Sequence, residues 1–193
     1  MVFVHGNGDS SALWINNIWR FEANGYKRNQ LFAIDFVYPN ARRDNSRPQP
    51  FRSSAEDQAR ELATFVQQVV KVTRRRRKVA LVGSSRGGNA IRSYLRNGGG
   101  AQFVSHAVLC GTPNHGVFSL PGNNNEFNAR GSVLRELNAG NEIVPGIAWA
   151  TIRSAGDDKF AQPDLGPGQP PGTGYNGPAL CGATNIVLAG ADH

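Results

Sequence analysis

Val79-Ala80-Leu81-Val82-Gly83-Ser84-Ser85-Arg86-Gly87-Gly88 is the stretch whose reading decides the fold. Its four leading apolar residues predict a buried strand, and the segment behind it, from Ala90 to Leu95, predicts a helix. Between them lies G-x-S-x-G. Glycines at 83 and 87 let the chain reverse so sharply that Ser85 projects from the turn with its hydroxyl exposed, the arrangement of a nucleophile elbow. A chain with 23 glycines can produce the bare pattern by chance, so the strand before it and the helix after it are what give it weight.

Working outward, Val2-Phe3-Val4 runs directly into His5-Gly6-Asn7-Gly8-Asp9. H-G-x-G after a short apolar strand is, at its plainest, a glycine turn. Beside an elbow it is also what acyl transfer needs as a second oxyanion donor, because glycine lets backbone N–H groups approach a reacting carbonyl. The candidate donors are the amides of Asn7 and of Arg86, the residue after the nucleophile. Arg86 would act through its backbone whatever its side chain does.

An elbow serine takes its partners in the chain order Ser, then Asp or Glu, then His. Of the four histidines, His5 precedes Ser85, and His106 and His115 leave only early glutamates, or none, as the acid. His193 remains, at the end of Asn185-Ile186-Val187-Leu188-Ala189-Gly190-Ala191-Asp192-His193, read as a buried parallel strand followed by a loop. The acid must lie between Ser85 and His193, among Glu126, Glu136, Glu142, Asp157, Asp158, Asp164 and Asp192. Asp157 and Asp158 alone directly follow a strand-like run, residues 147–153, with Gly156 as the turn. Spacing does not separate these two neighbours.

The rest of the chain keeps a strand–helix rhythm. A helical stretch containing Leu13, Ile15, Ile18 and Trp19 precedes a strand at 31–35. Residues 53–72 show helical spacing at Leu62, Phe65, Val66, Val69 and Val70, with Ser53 or Ser54 as cap and Glu56 and Asp57 in the first turn. Another strand is read at 107–110. This is the pattern of a parallel sheet wrapped by helices. Two stretches break it: residues 113–146, a loop or small cap over the site with a short helix near Val133, Leu134 and Leu137, and the Pro- and Gly-dense residues 164–177. The apolar side chains Phe118, Leu120, Phe127 and Ile143 fit an acyl pocket or a loop anchor equally well.

At 193 residues, 39% hydrophobic and 9% aromatic, the chain fits one domain with a sizeable core. No apolar run approaches a membrane span, and strand-like sequence from residue 2 leaves no room for a signal peptide. We read the chain as trimmed at both ends, lacking an initial strand or signal and a final helix. The net charge of +7 and a pI near 10.0 are compatible with nucleic acid or an anionic surface. Much of that charge is local to Arg74-Arg75-Arg76-Arg77-Lys78, which has no interleaved aromatics and reads as a solvated loop at a helix carboxyl end. Cys110 and Cys181 permit at most one disulfide and show no metal-site spacing; Cys110, ending an apolar strand, reads as a buried free thiol.

Several motifs together resemble the bacterial class 2 lipases of the α/β-hydrolase superfamily, and more closely the lipase-like extracellular polyhydroxybutyrate depolymerases. They are V-H-G-N-G-D at 4–9, G-S-S-R-G-G at 83–88, G-T-P-N-H-G at 111–116, D-K-F-A-Q-P at 158–163 and the terminal A-D-H. The resemblance implies an α/β-hydrolase fold, with a mostly parallel central sheet and helices on both faces. It also implies secretion, a lipid or polyester substrate, and no stable membrane insertion. In such lipases the acid sits about five residues before a Q-P pair, which carries that role to Asp158 with Asp157 as the alternate. The chain departs from the pattern in having Ser84 where histidine is common and Arg86 where methionine is common, changes expected to touch pocket shape and polarity. The expectation is therefore a serine hydrolase of carboxylic esters, with Ser85, Asp158 and His193 as the triad, Asn7 and Arg86 as oxyanion donors, and no cofactor or metal. The rival readings are an acyltransferase or thioesterase on the same triad, and a non-catalytic binding protein of the same fold.

Overall fold

The computed structural model describes residues 1–73, 78–117, 122–154, 156–157 and 177–193. The apolar runs of these residues line up as strands β1 (Val2–Val4), β2 (Phe32–Ile34), β3 (Val79–Ser84), β4 (Val104–Cys110), β5 (Ala148–Ser154) and β6 (Thr184–Leu188). All neighbouring pairs are parallel, in the spatial order β2-β1-β3-β4-β5-β6. Parallel pairing requires a crossover at each step, and helices α1 (Ile15–Ala23), α2 (Ala55–Val72) and α3 (Arg86–Asn97) lie in three of them. Because all strands share one direction, all their carboxyl ends open onto one edge. Strand order reverses at β1, so the crevice between the ends of β1 and β3 is the topological switch point, where open parallel sheets place their sites.

Alternation along β1 decides how the faces are covered. Val2 and Val4 point to one side with Leu81 and Leu109, and are buried there by Leu62, Val66 and Val69 of α2 and Ile91, Tyr94 and Leu95 of α3. Phe3 points to the other side and packs with Trp14, Ile18 and Leu31 beside α1. The sheet therefore carries helices on both faces, as the fold class requires. The cap of α2 is Ser54: its hydroxyl accepts from Asp57 N (3.1 Å), while Asp57 accepts from Ser54 N (2.8 Å). α3 is buried along Arg86–Leu95, longer and earlier in its start than residues 90–95, because the elbow feeds straight into its first turn.

The segment after β4 is pinned by two arginines of α3. Buried Arg92 donates to Asn114 O (3.1 Å), Leu137 O (2.8 Å) and Asn138 Oδ1 (2.6 Å), and burial lowers its pKa to about 10. Arg96 reaches Leu137 O and Asn141 O. The short helix expected there is α4 (Ser132–Leu137), which sets Val133, Leu134 and Leu137 against Ala55 at the start of α2. Ile143 packs against the main core, so it acts as a loop anchor; Phe118 and Leu120 lie outside the described residues, as do Arg74, Arg75, Arg76 and Arg77.

One expectation is corrected. β6 is not a buried strand: all five of its residues are exposed. It stands at the sheet edge with β5 as its pairing partner, and an apolar run of five fixes strand propensity without fixing whether a second layer covers it.

Candidate active site

The register of β1 on β3 pairs Val4 with Gly83, so the turn after β1 and the elbow after β3 leave the sheet side by side. Ser85 sits at φ 50° and ψ −122°, a left-handed backbone that a non-glycine residue adopts only under constraint. The constraint is visible in its neighbours. Ser85 N donates to Cys110 O (2.8 Å) and Gly88 N donates back to Ser85 O (3.0 Å). A Cβ on Gly87 would lie 2.5 Å from Val4 O and 2.6 Å from His5 O, and one on Gly88 would lie 1.9 Å from Thr112 Oγ1. Gly87 is thus required by the close approach of the β1 backbone, and Gly88 by the Thr112 side chain packed against it.

The turn after β1 is equally tight. A Cβ on Gly6 would come within 3.1 Å of Ser85 Cβ, so this loop touches the elbow serine. Buried His5 holds it there: Phe36 N donates to Nε2 (3.2 Å), which fixes the tautomer with Nδ1–H donating to Gly6 O (2.9 Å). Asn7 Oδ1 accepts from Ala41 N (2.7 Å) and Gly8 N donates to Pro39 O (3.1 Å). Arg86 is the first residue of α3, so its N–H has no intrahelical carbonyl to meet. The amides of Asn7 and Arg86 accordingly belong to two loops in contact around Ser85.

From the far side of the sheet the other partners arrive. His193 Nε2 lies 3.0 Å from Ser85 Oγ, and its Nδ1 lies 2.8 Å from Asp157 Oδ2. The Asp157 side chain is 3% exposed and that of His193 22%, so the relay runs from a buried carboxylate to a half-covered hydroxyl. Ser154, the last residue of β5, ties the two loops together: its hydroxyl donates to Ala191 O and accepts from Gly156 N (3.1 Å). Gly111, after β4, closes the space between them. Its φ is 54°, and a Cβ there would sit 3.2 Å from His193 Nδ1 and 3.5 Å from Asp157 Oδ2. Among the described residues Asp157 sets its carboxylate against the imidazole; Asp158, favoured by the Q-P spacing, lies outside them.

The model of the Alpha/beta hydrolase family matches residues 1–187. The chain belongs to that family. Among solved structures, it is similar to the mature lipase BlEst2 of Bacillus licheniformis, with 21% identity, a TM-score of 0.69, and coverage of 100% of this chain and 83% of that one. A monoacylglycerol lipase of Paleococcus ferrophilus aligns at 13% identity and a TM-score of 0.65, covering 100% and 84% of the two chains. Lipase B of Aspergillus fumigatus aligns at 14% identity and 0.67, covering 97% of this chain and 44% of that one. No curated protein sequence matches the chain. The family match places the chain among the α/β hydrolases, as the motifs imply, and the structural likenesses show a shared fold.

The largest departure from the sequence reading of this α/β hydrolase is the side chain of Arg86. It is 1% exposed and forks onto Glu126, itself 0% exposed, through Nε and Nη2. It also donates to Pro39 O (3.0 Å), Ser53 Oγ (3.1 Å) and Ser53 O (2.7 Å). Burial pushes the Glu126 carboxyl pKa upward, while the Arg86 charge pulls the other way. One signal was present in the sequence: a cation in the first turn of a helix opposes the helix dipole and so calls for a carboxylate elsewhere. His115 forms a second histidine–carboxylate pair, 2.7 Å from Glu142 Oε1, whose Oε2 accepts from Cys181 N (2.6 Å). This pair ties the segment beginning at Gly177 to the loop before β5. Cys110 and Cys181 are both free thiols, and burial raises Cys110 to about 11. No helix among the described residues is long and apolar enough to cross a membrane.

Proposed function

We propose that the chain is a serine hydrolase of carboxylic esters, with Ser85 as nucleophile, His193 as general base and then general acid, and Asp157 orienting the imidazole. The observation that carries this reading is the continuous relay from Asp157 Oδ2 to Nδ1 (2.8 Å) and from Nε2 to Ser85 Oγ (3.0 Å), on a serine held at positive φ. With Nδ1–H donating to the carboxylate, Nε2 is left as an acceptor facing the hydroxyl. Ser85 Oγ attacks the ester carbonyl as its proton passes to Nε2. The tetrahedral oxyanion is met by the amides of Asn7 and Arg86. Collapse expels the alcohol, which takes the proton from the imidazolium, and leaves an acyl-enzyme; water, activated by the same nitrogen, then releases the acid.

The motif resemblance, together with structural neighbours that bear the name lipase, supports a lipid or polyester as the ester substrate and action outside the cell. The test is hydrolysis of short- and long-chain p-nitrophenyl esters together with covalent labelling by a fluorophosphonate. Activity and labelling that both vanish in Ser85→Ala and in His193→Ala are expected. Ester hydrolysis undiminished in either variant overturns the assignment.

A further inference from the structure

The Arg86–Glu126 pair is not explained by stability. A buried ion pair contributes little on balance, because desolvating both charges offsets their attraction, and apolar residues of the same volume often serve as well. The helix dipole makes a cation in the first turn of α3 less favourable still. The position of the guanidinium is more telling than its charge. It is enclosed, and its donors are distributed over Pro39 O, Ser53 O, Ser53 Oγ and the two Glu126 oxygens. Pro39 O also accepts from Gly8 N (3.1 Å), so a single carbonyl joins the guanidinium to the turn after β1. Two residues on, Ala41 N donates to Asn7 Oδ1 (2.7 Å). Ser53 holds this strip of chain from its other side: Ser53 N donates to Asn40 O (3.0 Å), its hydroxyl to Tyr38 O (2.5 Å), and Ala41 bridges to Ser53 in parallel.

We propose that the Arg86 side chain is a positioning residue for the oxyanion donors: braced by Glu126, it fixes residues 38–41 through Pro39 and Ser53, and those residues fix the Asn7 amide beside Ser85. This rests on the ester-hydrolase reading. One residue then governs both donors, supplying one from its own backbone and aiming the other through its side chain. Glu126 matters because its carboxylate fixes the plane of the fork, which sets where the remaining N–H groups point.

Two variants test this. Arg86→Lys keeps a positive charge against Glu126, but an ammonium cannot span Pro39, Ser53 and both carboxylate oxygens. Arg86→Met with Glu126→Gln removes the pair without leaving an unpaired buried charge. Each is assayed on a short, soluble p-nitrophenyl ester and against a trifluoromethyl ketone, a probe whose carbonyl carbon bonds to Ser85 Oγ, the hydroxyl proton passing to His193 and the carbonyl oxygen becoming the anion. The expected result is a fall in kcat of about 10- to 100-fold with KM changed by less than about threefold, because misplacing a donor weakens the transition state and not the ground state. Inhibition by the ketone should weaken by the same factor as kcat/KM. Adding Asn7→Ala should then cause little further loss, since both changes act on one loop. Folded variants with wild-type kcat and ketone affinity overturn the proposal, and so does a fall in kcat that leaves ketone affinity intact. Ser85→Ala run in parallel separates the two readings: hydrolysis surviving in it sinks the ester-hydrolase reading itself, whatever Arg86 does.

Discussion

Replacing Asp157 by asparagine tests the relay at its most buried point. The carboxylate lies 2.8 Å from His193 Nδ1 and is 3% exposed, so its charge acts on the imidazole with little screening. In the proposed mechanism it does two things at once: it accepts Nδ1–H, which leaves Nε2 as the acceptor for the Ser85 proton, and it stabilises the imidazolium that results. Asparagine is nearly isosteric and removes both. Its amide NH2 can donate to Nδ1, which places the imidazole hydrogen on Nε2, where it cannot accept from the hydroxyl at 3.0 Å. The loss expected for such a tautomer reversal is about 10⁴-fold in kcat, or about 5 kcal/mol of transition-state stabilisation. The assay is kcat on p-nitrophenyl butyrate, with thermal unfolding followed by circular dichroism to show that the fold is kept. Asp158→Asn is the control: if Asp157 is the acid, it is expected to stay within about threefold of the parent, the usual scale of a substitution outside the machinery. A collapse of activity in Asp158→Asn, with Asp157→Asn near the parent rate, refutes the reasoning and returns the acid to the residue favoured by the Q-P spacing.

Three further outcomes follow from the geometry. Ser85→Gly relieves the backbone held at φ 50°, so unfolding in urea should show a gain of about 1 kcal/mol, whereas Ser85→Ala keeps the strain and should show none; both should be inactive. Ser154→Ala leaves Ala191 O and Gly156 N without the hydroxyl that joins them, and slack between the acid and base loops should lower kcat by about tenfold with KM little changed. The Glu142 carboxyl is pushed up by its burial but held below its usual 4.5 on balance by the Cys181 amide, His115 and Arg92. Its contribution to stability is therefore complete above pH 4.5 and is lost as pH falls through the lowered folded value, so the stability deficit of Glu142→Gln, measured by urea unfolding from pH 7 to pH 3, should shrink below about 4.5.

What could be read from the sequence was whatever local chemistry determines. β1, β3 and α2 were legible because short apolar runs, the elbow glycines, and helical spacing behind a serine cap act within a few residues. Ser85 could be named as a candidate from the elbow motif, and His193 from chain order, which excludes the other histidines. The acid candidate could not be narrowed by local pattern, since Asp157 and Asp158 share every local feature and the choice depends on which carboxylate faces the imidazole in space. The partners of Arg86 were hidden for the same reason: they lie 33 to 47 residues away in three separate segments, and nothing local to Ser85-Arg86-Gly87 names them. The exposure of β6 was hidden as well. Ile186, Val187 and Leu188 state that a strand can form; only the packing of other elements states whether it is covered.

His193 is tied into the site by contacts that the strand leading to it does not supply. β6 is an exposed edge strand, an element that by itself holds the following loop weakly. His193 is nevertheless located by short contacts at the carboxyl edge. Ser154 holds Ala191, two residues before it; Asp157 holds one ring nitrogen; and Gly111 presses on the ring with no side chain between. On the other side of the serine, His5 and Arg86 hold the turn after β1 in the same way, through hydrogen bonds to backbone carbonyls and amides. The parallel sheet brings the loop ends to one edge, and polar ties between the loops set the final ångström. Proximity catalysis depends on that last ångström, where a shift of about 1 Å can cost on the order of a hundredfold. Substitutions at Ser154 or Arg86, away from the reacting atoms, should therefore lower kcat at unchanged KM, whereas changes in the core beneath the sheet should act on stability first.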